Sequence, residues 1–205
     1  NADLTTMDPH TSTAAVDRQV YQSIYDTLVR LDKDLSIKPG LAESWEQPDP
    51  KTLIFKLRQG VKYHDGEPFN AASVKANVER MQNHPKSLRK GEVADIASVD
   101  VVDERTVKFN LKQPSSPLLS LLTDRPGMMV SIKAAEAAGD DFARKPVGTG
   151  PFTFVEWVKD DRLVVRKNAQ YWEKDAAGNA IPYLDEVVYK PITDGNQRLT
   201  ALKTN

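Results

Sequence analysis

Residues 41–81 carry the most legible pattern in the chain. Leu53, Phe55 and Leu57 alternate with Ile54, Lys56 and Arg58, the period-two signal of a strand with one buried face. Gln59-Gly60 turns the chain, Val61 and Tyr63 resume the alternation, and His64-Asp65-Gly66 supplies a second turn whose glycine tolerates positive φ. Pro68 restricts Glu67, Asn70 suits a helix N-cap, and Val74, Val78 and Met81 recur at helical spacing. The unit is expected to run strand, turn, strand, turn, helix.

Upstream, residues 4–10 read as irregular around the Asp8-Pro9 turn. Thr11, Ser12 and Thr13 offer hydroxyl caps to a helix whose stripe of Val16, Val20, Ile24 and Leu28 ends near Arg30, and residues 32–39 read as a loop. Downstream, the polar residues 82–92 predict an exposed, mobile connection. Val99 and Val101 then pair with Val107, Phe109 and Leu111 across a turn at Asp103-Glu104. A short apolar helix follows at 118–122, a short buried strand at 128–132, and an Ala-rich helix stopped by Gly139. Gly148-Thr149-Gly150-Pro151 opens a second sheet, in which Phe152 and Phe154 lead through Asp160-Asp161 to Leu163 and Val165. Residues 175–179 form a polar loop, Val187, Tyr189 and Ile192 a last strand, and Thr193 or Asp194 caps a helix bearing Leu199 and Leu202. The sum is a mixed α+β chain without internal repeats.

Composition narrows the function. Twenty-eight basic and 29 acidic residues leave no strong field, so nucleic acid and polyanionic partners gain no support. The absence of cysteine excludes thiolate metal sites, iron–sulfur clusters, disulfides and thiol nucleophiles. No apolar run approaches the roughly 20 residues needed to span a bilayer as a helix. Gly148-Thr149-Gly150 lacks both the Gly-Lys-Ser/Thr of a phosphate loop and the third glycine of a dinucleotide fingerprint, and no Gly-x-Ser-x-Gly elbow occurs. Paired carboxylates such as Asp140-Asp141 and Asp160-Asp161 read as solvated turn residues. His64, Asp65 and Glu67 sit in a turn from which their side chains diverge, a weak metal constellation, and His10 and His84 lie in loops without a visible partner. No catalytic residue, metal site or cofactor is predicted, and the chain reads as nonenzymatic.

Candidate binding groups lie at element ends. The helix after Thr11, Ser12 and Thr13 has free N–H groups able to receive a carboxylate, although plain N-capping accounts for the same hydroxyls. Arg18, one turn on, either reaches a cleft or is solvated. Trp45, Trp157, Trp172 and Tyr171 fit core packing better than ligand stacking.

Three ordered blocks carry a family resemblance. Leu41-Ala42-Glu43-Ser44-Trp45, Phe55-Lys56-Leu57-Arg58, Val61-Lys62-Tyr63-His64-Asp65-Gly66 and Pro68-Phe69-Asn70-Ala71 form the first. The second is Val147-Gly148-Thr149-Gly150-Pro151-Phe152 with Arg166-Lys167-Asn168 and Tyr171-Trp172, and the third is Asp8-Pro9 with Ile24-Tyr25-Asp26-Thr27-Leu28. The chain resembles the family 5 extracellular solute-binding proteins, which serve ABC importers for peptides and nickel. The resemblance implies a periplasmic-binding-protein-like type II fold of which this chain is a fragment. Residues 1–40 and 145–205 would form parts of the first ligand-binding lobe and 41–144 an inserted α+β subdomain, the second lobe being absent.

It also implies a small-molecule ligand, with a di- or oligopeptide favoured and a nickel or other metal chelate as the alternative. The partners are permease subunits in the membrane, on the periplasmic or outer face, the export signal lying outside this chain. A ligand-sensing module fused to another domain is the alternative of a different class. Family members bring the loop at Thr11–Thr13 to the ligand. Arg125-Pro126 resembles a motif that in some relatives points an arginine at an anionic ligand, where bidentate recognition suits guanidinium geometry, the alternative being a surface pair with Asp124. The complete protein is expected to be a monomer, and exposed apolar surface favours self-association of a fragment.

Overall fold

A computed structural model describes residues 3–204. Three antiparallel sheets organise it: a ribbon of β1 (Val29–Leu31) and β2 (Ile37–Pro39), a four-stranded sheet, and a three-stranded sheet. The four-stranded sheet has the order β3-β4-β6-β5, made of β3 (Ala42–Asp49), β4 (Thr52–Leu57), β5 (Ile96–Asp103) and β6 (Thr106–Leu111). β4 and β6 are the central strands, and their alternation is the cause: Phe55 faces Val107 and Leu53 faces Phe109 across the ladder, all buried on one face. The Phe55 and Phe109 rings meet edge to face at 5.2 Å. α2 (Ala71–Asn83) lays Val74, Val78 and Met81 on that face. Its start is a reciprocal capping box, in which Asn70 Oδ1 accepts from Ser73 N–H at 3.0 Å and Ser73 Oγ accepts from Asn70 N–H at 3.1 Å.

The partner of β4 corrects the expected meander. β3 pairs with β4 from Ala42↔Leu57 to Asp49↔Thr52, although its sequence AESWEQPD buries only Ala42 and half-buries Trp45. An edge strand facing water on most of its length has no apolar alternation to read. Val61 and Tyr63 are buried, but they sit in a loop with a single bridge, Lys62↔Pro68, and not in a strand.

A second core forms around α1 (Ala15–Ile24), which packs Val20, Tyr21 and Ile24 against Phe152, Leu163 and Val165 of β7 (Phe152–Val158) and β8 (Arg162–Lys167). β9 (Glu186–Tyr189) completes this sheet in the order β7-β8-β9. α1 ends earlier than its stripe suggests. Tyr25 leaves the helical region at φ −121°, and Leu28 and Val29 enter the first core as the chain turns into β1. β2 stands where a loop was expected. Residues 128–131 are buried as expected but form only the bridge Thr27↔Met128. Met128 belongs to the second core and Met129 to the first.

The short α3 (Leu118–Leu121) and α4 (Ile132–Ala138) match their expected positions, and Gly139 ends α4 at φ 54°. Asp160, at φ 60°, turns the β7–β8 hairpin. Asp194 Oδ1 accepts from Gln197 N–H at 2.8 Å to start α5 (Gly195–Thr204), which buries none of its residues. The 82–92 segment departs most from expectation: Ser87 and Arg89 are buried, and Ser87 Oγ donates to Met81 O at 2.6 Å. No helix among the described residues is long and apolar enough to cross a membrane.

Candidate ligand-binding site

The loop before α1 is the first of the predicted regions. Its hydroxyls do not cap the helix: the N-cap is Ala14, in extended backbone and without a side-chain hydrogen bond. Ser12 is buried, accepts from Ala14 N–H at 3.1 Å, and donates to the carboxylate of Asp17. Asp17, fully buried in the first turn, also receives Thr5 N–H at 2.8 Å, so the positive end of the helix faces an internal carboxylate. Thr11 Oγ1 donates to Asp8 O at 3.3 Å and is half-buried, whereas Thr13 is exposed.

Arginines from three other segments hold this loop. Arg80 of α2 forms a buried ion pair with Asp8 at 2.7 Å and donates to His10 Nδ1 at 2.8 Å. The other ring nitrogen of His10 faces Met128 O at 3.2 Å, which places the proton on Nε2. Burial holds this imidazole down at about 4. For Asp8, burial pushes the carboxyl up, but the hydrogen bond from Arg80 and the charges around it outweigh burial and hold it below the usual range. Arg89 donates to Ser12 O at 3.0 Å, and Arg125 Nη2 to Ala14 O at 2.6 Å. Asp124 pairs with Arg18, at 3.0 Å, and not with its neighbour Arg125. The side chain of Arg18 is half exposed, and because its partner Asp124 adjoins Arg125, which reaches Ala14 O, both arginines lie beside the start of α1 that Thr11 and Thr13 precede.

From Arg18 a groove of about 550 Å³ runs along α1 past Gln22 and Thr123 to Asp26, Arg30, Tyr171 and Glu173. Asp26 is buried on its lining and belongs to no periodic pattern in the sequence. One oxygen accepts from Arg30 at 2.8 Å and Tyr171 Oη at 2.9 Å, the other from Trp172 Nε1 at 2.8 Å and Thr149 Oγ1 at 3.2 Å. Burial pushes the Tyr171 hydroxyl up, and the Asp26 charge adds to it. Two guanidinium groups approach the Trp172 ring, Arg58 at 4.4 Å and Arg30 at 5.1 Å from its centroid. Trp45 and Trp172 pack on the first core. A lone acid inside the apolar run Ile24-Tyr25-Asp26-Thr27-Leu28 was the available signal, since a buried carboxylate demands donors.

The remaining histidine candidate is engaged elsewhere. His64 Nε2 lies 3.0 Å from Gly150 O, Asp65 accepts from Ser131 Oγ at 2.6 Å, and Glu67 pairs with Lys133. These three side chains go to three different partners, and no group of three metal-ligating side chains occurs among the described residues.

Comparison with known proteins gives the arrangement a family. Residues 36–205 match bacterial extracellular solute-binding proteins, family 5 Middle. Across 99% of this chain the sequence is 39% identical to the glutathione-binding protein GsiB of Salmonella typhi, and it spans 39% of that protein's length. The periplasmic binding protein AgaA of A. tumefaciens R10, solved with agropinic acid, has a TM-score of 0.89 and 35% identity over 98% of this chain and 40% of its own. The ABC transporter-associated periplasmic binding protein DppA of Helicobacter pylori, solved with the peptide STSA, has a TM-score of 0.88 and 33% identity over 100% of this chain and 44% of its own. These relatives are solute-binding proteins and not enzymes, and the chain belongs to the family 5 extracellular solute-binding proteins of ABC transporters.

Proposed function

We propose that the whole protein is the extracytoplasmic binding component of an ABC importer and that its solute is a short peptide, glutathione being the first to try. The observation that carries this reading is the 39% identity to a glutathione-binding protein along nearly the entire chain. The end of α1 suits such a solute. Arg18 and Arg125 supply guanidinium groups for its carboxylates, Thr11 and Thr13 supply hydroxyls, and Ser12, committed to Asp17, shapes the loop between them. Ligand bridging to a second lobe stabilises the closed form through its higher affinity for that form, and the permease receives the closed form.

The lobe organisation that accompanies this reading takes residues 1–40 with 145–205 as one lobe around an insert. The packing of Met128, Val130, Ala135 and Phe142 with α1 favours ending the insert near residue 127.

Isothermal titration calorimetry on the full-length protein tests the reading, with reduced glutathione, a serine-rich tetrapeptide and a nickel chelate as probes. Saturable binding of glutathione or the tetrapeptide, weakened about tenfold by Arg18→Ala, is the expected result. Heat from the chelate alone would retain the transport role and remove the peptide.

A further inference from the structure

The loop at Asp8–Ala14 has no regular structure, yet its backbone is gripped at alternate residues. The carbonyls of His10, Ser12 and Ala14 accept from Leu88 N–H at 2.9 Å, Arg89 Nη2 at 3.0 Å and Arg125 Nη2 at 2.6 Å. Two of these donors come from the segment after α2, whose polar sequence predicts an exposed connection. That segment is itself braced: Ser87 Oγ accepts from Arg89 N–H at 3.2 Å, and Val93 N–H donates to Arg89 O at 3.2 Å.

Arg89 is only 4% exposed, and its charge is balanced by Glu92 through Nη1. Its Nε–H is buried with no hydrogen-bond partner among the described residues. Burying a guanidinium carries a desolvation cost, which its pairing with Glu92 and its bond to Ser12 O offset in part. What the burial accomplishes is to fix one carbonyl in the middle of the loop.

We infer that Arg89 is a positioning residue for the solute: it sets the backbone of Thr11–Ala14, and through it the presentation of Thr11, Thr13 and the start of α1. Arg80, gripping Asp8 and His10, sets the same loop from its other end. The inference rests on the reading above that this loop faces the solute. Presentation of the loop is thereby controlled from the 80–92 segment, through Arg80 and Arg89.

The test compares Arg89→Gln and Arg89→Lys with Lys86→Ala in the full-length protein. Lys86 lies in the same segment, but its side chain is exposed and pairs with Asp140. Two readouts are taken, amide hydrogen exchange of residues 10–14 without ligand and glutathione affinity by calorimetry. Arg89→Gln is expected to speed exchange in the loop and weaken binding at least about tenfold. Arg89→Lys should recover part of both, and Lys86→Ala should match the wild type. If Arg89→Gln fails to fold, Glu92→Gln replaces it, leaving the guanidinium in place without its orienting carboxylate and giving a smaller change in the same direction. Unchanged loop exchange overturns the inference, with or without a loss of affinity. If the wild type binds neither glutathione nor any peptide, the ligand reading fails and the exchange data alone decide what Arg89 does.

Discussion

Replacing Gly148 by alanine tests whether the Gly-Thr-Gly segment is a packing device. A Cβ on Gly148 would sit 2.1 Å from Ile24 O, 2.5 Å from Tyr25 Cδ1 and 3.0 Å from Ile24 C, whereas ordinary contact begins at 3.4 Å. Most of these atoms are backbone at the end of α1, so relief requires the segment to retreat by about 1 Å or more. Retreat strains what holds it: Gly150 N–H donates to Ile24 O at 2.9 Å, and His64 N–H donates to Gly148 O at 2.9 Å. Overpacking costs about 1–3 kcal/mol and each weakened hydrogen bond about 1 kcal/mol, for a total of about 3–5 kcal/mol. In a chain of this size about 2–4 °C is lost per kcal/mol, so scanning calorimetry should show the Tm falling by about 10 °C. Gly91 is the control. A Cβ there meets nothing within 4 Å, and Gly91→Ala should lie within about 1 kcal/mol of the wild type, on the stabilising side. A Gly148→Ala protein melting within about 2 °C of the wild type would refute the reasoning.

Acid should destabilise the loop anchor. His10 titrates at about 4 when folded and near 6.5 when unfolded, so between those values the unfolded chain takes up a proton that the folded chain refuses. Stability is full above pH 6.5 and falls by about 3 kcal/mol as the pH drops to 4, and a plot of Tm against pH should flatten over this window in His10→Gln. Asp26→Asn leaves four donors facing one acceptor oxygen and an amide, and should cost about 2–4 kcal/mol, read from urea midpoints. Asn70→Ala removes the capping box of α2 and should cost about 1 kcal/mol, while leaving glutathione affinity unchanged in the full-length protein.

What could be read from the sequence follows from where water is. β4, β6, α2 and the β7–β8 hairpin each present one face to a core, so Leu53-Phe55-Leu57 and Val74-Val78-Met81 announce themselves. β3 has water on most of its length and turns only Ala42 and Trp45 toward the core, which leaves no period to detect. α1 misled in the opposite way: Leu28 extends the helical stripe because it too is buried, but in a different core and a different backbone conformation.

At the candidate site the sequence offered residue types and not their partners. Thr11, Ser12, Thr13, Arg18 and Arg125 do cluster, yet the ion pair belongs to Arg18 and Asp124, and Ser12 serves Asp17. Arg80, Arg89, Asp17 and Asp26 were missed because buried charge looks like surface charge until its partner, 50 or more residues away in several cases, is brought beside it.

The approach of Arg30 and Arg58 to the Trp172 ring has an optical consequence. Two positive charges sit near the indole while a carboxylate holds its N–H, so its excited state is biased by internal charge. Arg58 follows β4 of the first sheet, Arg30 lies in the ribbon, and Asp26 follows α1. Any motion that separates these three elements shifts the emission of a single residue. With Trp45 and Trp157 replaced by phenylalanine, Trp172 becomes an intrinsic fluorescent gauge of the contacts among these elements.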